Sequence, residues 1–320
     1  MVFDKKTFKL DAGFRHQLIN LGTDRELPAA VGVVIPTENK ENRLGAVGNL
    51  EIKLWDKVDV KSFLEYSNGK SFGNYLRSEN LLKLEPIKGY ILDAHVNFQS
   101  AIPSFNYLMN PSFYQNFNYN FGGAKNQSIT EIGGKINLKW FDSSVFANYF
   151  RIDNFAYFGT DFLPKQSSET VNISQIGGEA TLNYWKLKFN TKLLFQSALS
   201  QKELLPMPNF VGRLNVFYQS KAFKNAAEIQ TGFKVYYFSK FKSRDYFPVL
   251  NEFVLSNSGT SIGGQPIADA YFNMKVKRMM IFAEAQHFNT TFMKNKSFTA
   301  PNYPIYDFRL NLGIVWYIFH

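Results

Sequence analysis

The feature that most constrains this chain is an alternation of apolar and polar residues carried through runs too long for an ordinary soluble sheet. Near the end of the chain Phe308, Leu310, Leu312, Ile314, Trp316 and Ile318 alternate with Arg309, Asn311, Gly313, Val315, Tyr317 and Phe319. A period of two sends successive side chains to opposite faces of a strand. One face of this run is wholly apolar, and the other holds a charge, an amide and a glycine. Strands of this kind cross a bilayer as part of a barrel. The pattern recurs at 5–18, where Phe8, Leu10, Ala12, Phe14 and Leu18 oppose Lys9, Asp11, Arg15 and Gln17. It recurs again at 43–55, 58–66 and 90–102. No run of about 18 apolar residues exists, so the sequence predicts no transmembrane helix. A mean hydropathy of −0.23 does not argue against a membrane protein, because barrel strands hide their apolar face in alternation.

Extending this reading gives about fourteen strands, near 5–18, 43–55, 58–66, 75–85, 90–102, 127–140, 145–158, 170–184, 187–199, 209–219, 224–238, 266–276, 279–292 and 305–320. The connections alternate between short turns and long loops. The fold class expected is all-β: an antiparallel transmembrane β-barrel of about 14 strands (range about 12–16), with short periplasmic turns and long extracellular loops. Residues 1–320 read as one barrel domain. No signal peptide is visible before the first strand; for an exported protein the expectation is that the leader has been removed or that upstream sequence lies outside this chain. The apolar piece Val31–Ile35 reads as a loop strand, and the long loops at 103–126 and 239–265 are expected to fold inward and narrow the opening. Glu131–Leu138 echoes Gln175–Leu182, each with a Gly-Gly pair, at the spacing of a strand pair with its loop. No helix start or Lys-Ser/Thr follows these glycines, so they read as bends or close packing points rather than phosphate cradles.

Composition narrows the function classes. Aromatic residues make up 17% of the chain, with 33 Phe and 17 Tyr. Cysteine is absent, which excludes disulfides, thiolate metal sites and a cysteine nucleophile. The formal charge is +10, yet no basic run exceeds two residues, so a nucleic-acid footprint is not expected. Trp55, Trp140, Trp185 and Trp316 all fall beside short turns, the placement of an aromatic girdle at one membrane interface.

If the apolar faces meet lipid, the opposite faces line a lumen. That register places Lys9, Arg15, Lys53, Lys61, Lys83, Lys135, Lys139, Lys188, Lys192, Arg213, Lys234, Lys275, Lys277 and Arg309 inside. Asp11, Glu51, Asp59, Glu65, Glu85, Asp93, Glu131, Glu179, Glu228 and Glu284 join them, with His95. Such a wall is mixed and mildly positive. It suits a water-filled pore with weak anion preference, and equally a ladder of cross-strand ion pairs that stiffens a barrel. Remaining cations would meet anionic headgroups at the rims. A hydrolase would need Ser, His and an orienting acid. Of the four histidines, only His95 shares the inner face with a nearby acid, Asp93, and no serine stands in a recognisable motif. His16 and His287 share the lipid-facing parity, and His320 is terminal. No spacing suits a metal or a cofactor.

The segments Asp269–Arg278, Phe282–His287 and Ala300–Pro304, followed by Phe308-Arg309 and Gly313–Trp316, resemble the C-terminal part of the putative β-barrel porin family of Bacteroidota-type bacteria. Residues 162–169 are similar too. The resemblance implies a barrel in the bacterial outer membrane with a poorly defined substrate and no catalytic residues. The expected function is a porin-like channel for passive diffusion of small polar or anionic solutes. The alternative is a structural or accessory barrel of an envelope secretion or surface assembly, with its lumen plugged. Expected partners are outer-membrane lipid and lipopolysaccharide, small polar solutes and envelope proteins.

Overall fold

A computed structural model describes residues 2–5, 7–22, 27–28, 34–55, 57–293 and 298–318. One antiparallel sheet dominates it. Its strands are β1 (Val2–Lys5), β2 (Phe8–Gly22), β3 (Glu38–Leu54), β4 (Val58–Ser67), β5 (Tyr75–Ile87), β6 (Tyr90–Ala101), β7 (Gln127–Leu138) and β8 (Ser143–Asp153). They continue as β9 (Val171–Tyr184), β10 (Leu187–Ala198), β11 (Phe210–Ala222), β12 (Ala227–Phe238), β13 (Ile267–Val276), β14 (Met279–Gln286) and β15 (Arg309–Trp316). Neighbours in sequence are neighbours in the sheet throughout, an up-and-down meander. The fourteen long strands match the fourteen expected ones, and the short β1 extends the sheet beyond β2. Among the described residues no ladder joins β1 or β2 to β15. Among the described residues no helix is long and apolar enough to cross a membrane.

Alternation of the side chains does what the sequence requires. Phe14, Ile176, Phe233 and Leu312, spread round the sheet, are 99, 55, 55 and 71% exposed on one face. In water such a surface would be costly, at about 25 cal/mol per Å² of apolar area. In hydrocarbon it is the expected outer belt. A strand can span only if its backbone groups are paired, and β3 to β14 each have a ladder on both sides.

The connections alternate strictly. Short turns occupy 55–57, 88–89, 139–142, 185–186, 223–226 and 277–278, and long connections occupy the other end. Several boundaries differ from the sequence reading. The strand expected at 145–158 stops at Asp153, because Asn154 takes a left-handed φ of 53° and the chain re-enters as a separate strand at Ala156–Phe158. The strand expected to 292 stops at Gln286, where His287 turns left-handed and residues Phe288–Thr291 coil into a 3-10 turn. Of the loop strand expected at 31–35, only Val34–Ile35 lies among the described residues, paired with Leu27–Pro28. Asp56 of the first tight turn and His320 lie outside them.

Candidate channel wall and its loop cap

Register fixes which side chains share the inner face. Across β3 to β6, Glu51 stands opposite Lys61, Lys61 opposite Leu81, and Leu81 opposite His95. Every expected inner residue on a strand falls on this face. Lys139 and Lys277 do not sit in a ladder: Lys139 enters the 140–142 turn with its side chain against Gly89, and Lys277 occupies the two-residue turn after β13 with φ 52°.

The inner face is a set of ion pairs. Arg15 pairs with Glu65, which is buried. Lys9 lies 3.8 Å from Asp11, and Lys61 3.8 Å from Glu51 and 4.0 Å from Asp59. Glu179 bridges Lys135 and Lys192, each at 3.1 Å. Lys234 reaches Glu284 at 3.4 Å and lies 4.7 Å from the centroid of the Tyr271 ring. Arg213 donates to Asn190 Oδ1 at 2.6 Å. Lys188 faces the Phe217 ring at 6.0 Å, and Arg309 the Tyr306 ring at 3.6 Å. Lys53, Lys83 and Lys275 make no ion pair with a described residue. Lys53 and Lys83 line a cleft of about 240 Å³ at the turn end with Lys57, Asp59 and Glu85.

His95 does not pair with Asp93. Its Nε2 lies 3.3 Å from Glu131, while Asp93 takes a long contact from Asn137 and faces Lys83 and Lys135 across the ladder. The Asp-His arrangement that a hydrolase reading would need is therefore not formed. His95 instead helps line a recess of about 520 Å³ with Asn49, Glu51, Lys61, Phe63, Glu79 and Glu131. Sequence reasoning missed Arg77 and Glu79, which bond to each other on this face. The parity they share with Lys83 was the available signal, obscured by the intervening Leu81.

No group of three or more His, Cys, Asp or Glu suited to a metal occurs among the described residues. The tryptophans gather at the turn end: Trp55, Trp140 and Trp185 lie in turns, and Trp316 pairs with Met279 just after one. All four are exposed.

At the opposite end, loops fold onto the inner face. Ile152, Val171 and Ile173 share the inner parity, yet they are buried beneath Leu205 and Met207 of the 199–209 loop. Arg244 of the 239–266 loop donates to the Leu204 carbonyl and stacks on Phe155. Burial pushes its guanidinium pKa down, against the opposing pull of Tyr107 and Glu252. The loops at 102–126, 154–170 and 239–266 then meet in one aromatic cluster, with Tyr119, Phe158, Leu250 and Val254 buried at its centre. Tyr107 stacks on Phe158 at 4.6 Å, and Phe117 meets Phe247 at 4.8 Å. Burial raises the pKa of both Tyr107 and Tyr119, so both hydroxyls stay neutral. Because these loops leave the sheet at β6, β8 and β12, their meeting carries the cluster across the sheet's loop end.

A family model described as "Putative porin" matches residues 2–320. No curated protein matches the chain in sequence. Solved structures with the same fold include the siderophore receptor PirA from Acinetobacter baumannii, with a TM-score of 0.68 at 10% identity over 98% of this chain and 53% of that one. The FrpB iron transporter from Neisseria meningitidis gives 0.64 at 13% identity, over 97% of this chain and 52% of that one. The ferric enterobactin receptor PfeA from Pseudomonas aeruginosa gives 0.64 at 13% identity, over 90% and 47%. The chain thus spans about half the length of these receptors, and the likeness is one of fold.

Proposed function

Because the chain belongs to the putative porin family, we propose that this outer-membrane β-barrel is a channel through which small polar solutes, anions among them, diffuse passively. The observation that carries the reading is the division of one sheet into an exposed apolar face and an opposite face studded with ion pairs. Charge keeps a lumen wet, and pairing fixes the position of each charge. Weak anion preference follows from the balance: of the expected inner charges on strands, Lys53, Lys83, Lys188, Arg213, Lys275 and Arg309 make no ion pair with a described residue, against only Glu85, Asp93 and Glu228 among the acids. The loop cap supplies a constriction. A sheet in hydrocarbon leaves no edge unpaired, so the open edges of β2 and β15 are covered in the membrane.

Planar-bilayer recording tests this. Purified protein should give discrete conductance steps, with a reversal potential displaced toward that of the anion in a KCl gradient. Absence of steps from folded protein would end the channel reading. The loop cap also favours a second reading, an accessory barrel of an envelope assembly with a plugged lumen. Silent bilayers together with a partner that co-purifies in mild detergent would establish that instead.

A further inference from the structure

We propose that the short-turn end of the barrel is a binding rim for anionic phospholipid headgroups of the inner leaflet. Each of the six short turns between long strands carries a lysine: Lys57, Lys88, Lys139, Lys186, Lys224 and Lys277. Arg278 adds a further cation, and Asp142 is the sole acid among the described turn residues. The long loops at the other end are nearly balanced in charge across their described residues. The cations are therefore concentrated where the chain meets one leaflet. None of the six lysines makes an ion pair with a described residue. Five are exposed, and the sixth, Lys186, is partly covered, with its Nζ 5.2 Å from the Trp185 ring centroid and 5.9 Å from that of Tyr218.

A second observation selects lipid over an acidic protein as the occupant. Four of these turns place a large aromatic residue in the left-handed region, where L-residues are strained: Trp55 (φ 51°), Phe141 (φ 55°), Trp185 (φ 54°) and Phe223 (φ 51°). Their side chains are 82, 60, 78 and 71% exposed. A strained backbone that presents an aromatic ring to water has no rationale in an aqueous setting. At the boundary between acyl chains and headgroups the ring is buried in lipid, and the neighbouring lysine reaches the phosphate layer. A lysine recurs at every one of the six turns, and an exposed aromatic stands beside it at four of them. That repeat matches a continuous lipid surface rather than a single protein epitope.

The test uses the full chain reconstituted in vesicles, with its own four tryptophans as reporters. Phosphatidylglycerol carrying brominated acyl chains is compared with brominated phosphatidylcholine at equal mole fraction. Anionic lipid should occupy the rim about fivefold more readily, as one lysine beside an anionic surface supplies. The preference should fall to parity at high salt. It should also vanish when all six lysines are replaced by Gln, and persist when they are replaced by Arg, with folding checked by far-UV circular dichroism and heat-modifiable mobility. Equal quenching by the two lipids in the unaltered protein would overturn the proposal. So would a preference that survives the six Gln substitutions. Because quenching needs no conducting pore, failure of the channel reading would leave the expected result unchanged.

Discussion

Replacing Glu179 by Gln tests the charged wall at its most tightly paired point. Its two carboxylate oxygens each accept from a lysine at 3.1 Å, Lys135 on one side and Lys192 on the other, and Ser144 Oγ lies 3.3 Å away. The substitution removes one negative charge and leaves two ammonium groups beside a neutral amide. An ion about 8 Å away in water feels ~0.5 kcal/mol from a unit charge before screening. One Debye length at physiological salt reduces that to ~0.2 kcal/mol. Anions gain this and cations lose it, so the relative preference moves by ~0.4 kcal/mol, about a factor of two. Zero-current potentials in a KCl gradient read that ratio directly. Lys192→Gln should displace the potential by a similar amount in the opposite direction. The carboxylate is 36% exposed and its lysines 40 and 53%, so the cost in stability stays below ~1 kcal/mol and folding is preserved. Displacements of the same sign in the two variants, or none in either, would show that these side chains do not face the conducting path.

Three further outcomes are expected. Ile176→Arg, on the exposed apolar face, should cost about 2–4 kcal/mol of stability in lipid vesicles if the residue sits near mid-membrane, while Gln175→Arg on the inner face is tolerated; equal costs would contradict the assignment of faces. Phe158→Ala removes a ring with no exposure and should loosen the loop cap by about 3–5 kcal/mol, seen as faster protease cleavage within 102–126 and 239–266 with the strands intact. The same variant should raise single-channel conductance, and an unchanged conductance would place the cap outside the path. Burial alone would raise the pKa of Asp161, but Lys165 and the Leu163 backbone N–H together outweigh it, so the folded value lies below the ordinary one. The stabilisation it gives is present above the ordinary carboxylate range and lost as pH falls through the folded value. Protease nicking of residues 159–165 should therefore rise below about pH 4, and Asp161→Asn should show the higher rate at neutral pH.

The strands were legible because the two-residue period is a local property of each segment, and fourteen could be found without knowing what pairs with what. Their ends were less so. β3 begins at Glu38, five residues before the strand expected from 43, because β2 runs on to Gly22 and holds the charged stretch Glu38, Lys40 and Glu41 in a ladder. Hydrophilicity marked them as leaving the bilayer, not as leaving the sheet. β14 stops early for a tertiary reason: the His287 backbone N–H donates to Asp269 Oδ1 at 2.9 Å, and its Nδ1 lies 2.6 Å from the Tyr306 carbonyl. The inner charges could be listed from parity, but their partners could not. Lys135, Glu179 and Lys192 come from three strands, and only the register brings them together.

The aromatic surplus shows most clearly what register adds. Read along the chain, the many phenylalanines suit a lipid-facing belt, and some do lie there. Others, such as Phe158 and Phe247, come from loops far apart in sequence and meet only in the cap. A third set belongs to the inner wall. Phe146 stands directly across the ladder from Gly177, Phe217 from Gly232, and Phe282 from Gly313. A methyl group built on each of these glycines would fall within 2.4 to 2.6 Å of the facing phenylalanine's atoms, so the glycine leaves room for the larger residue. His95 makes the same use of Gly133. The rings of Phe146, Phe282 and His95 therefore lie along this face, over the glycine of the next strand, while Phe217 sets its Cβ against Gly232. One glycine of each Gly-Gly pair, Gly133 and Gly177, thus lets the inner face carry a ring packed flat against the ladder, while Gly134 and Gly178 fall on the opposite face.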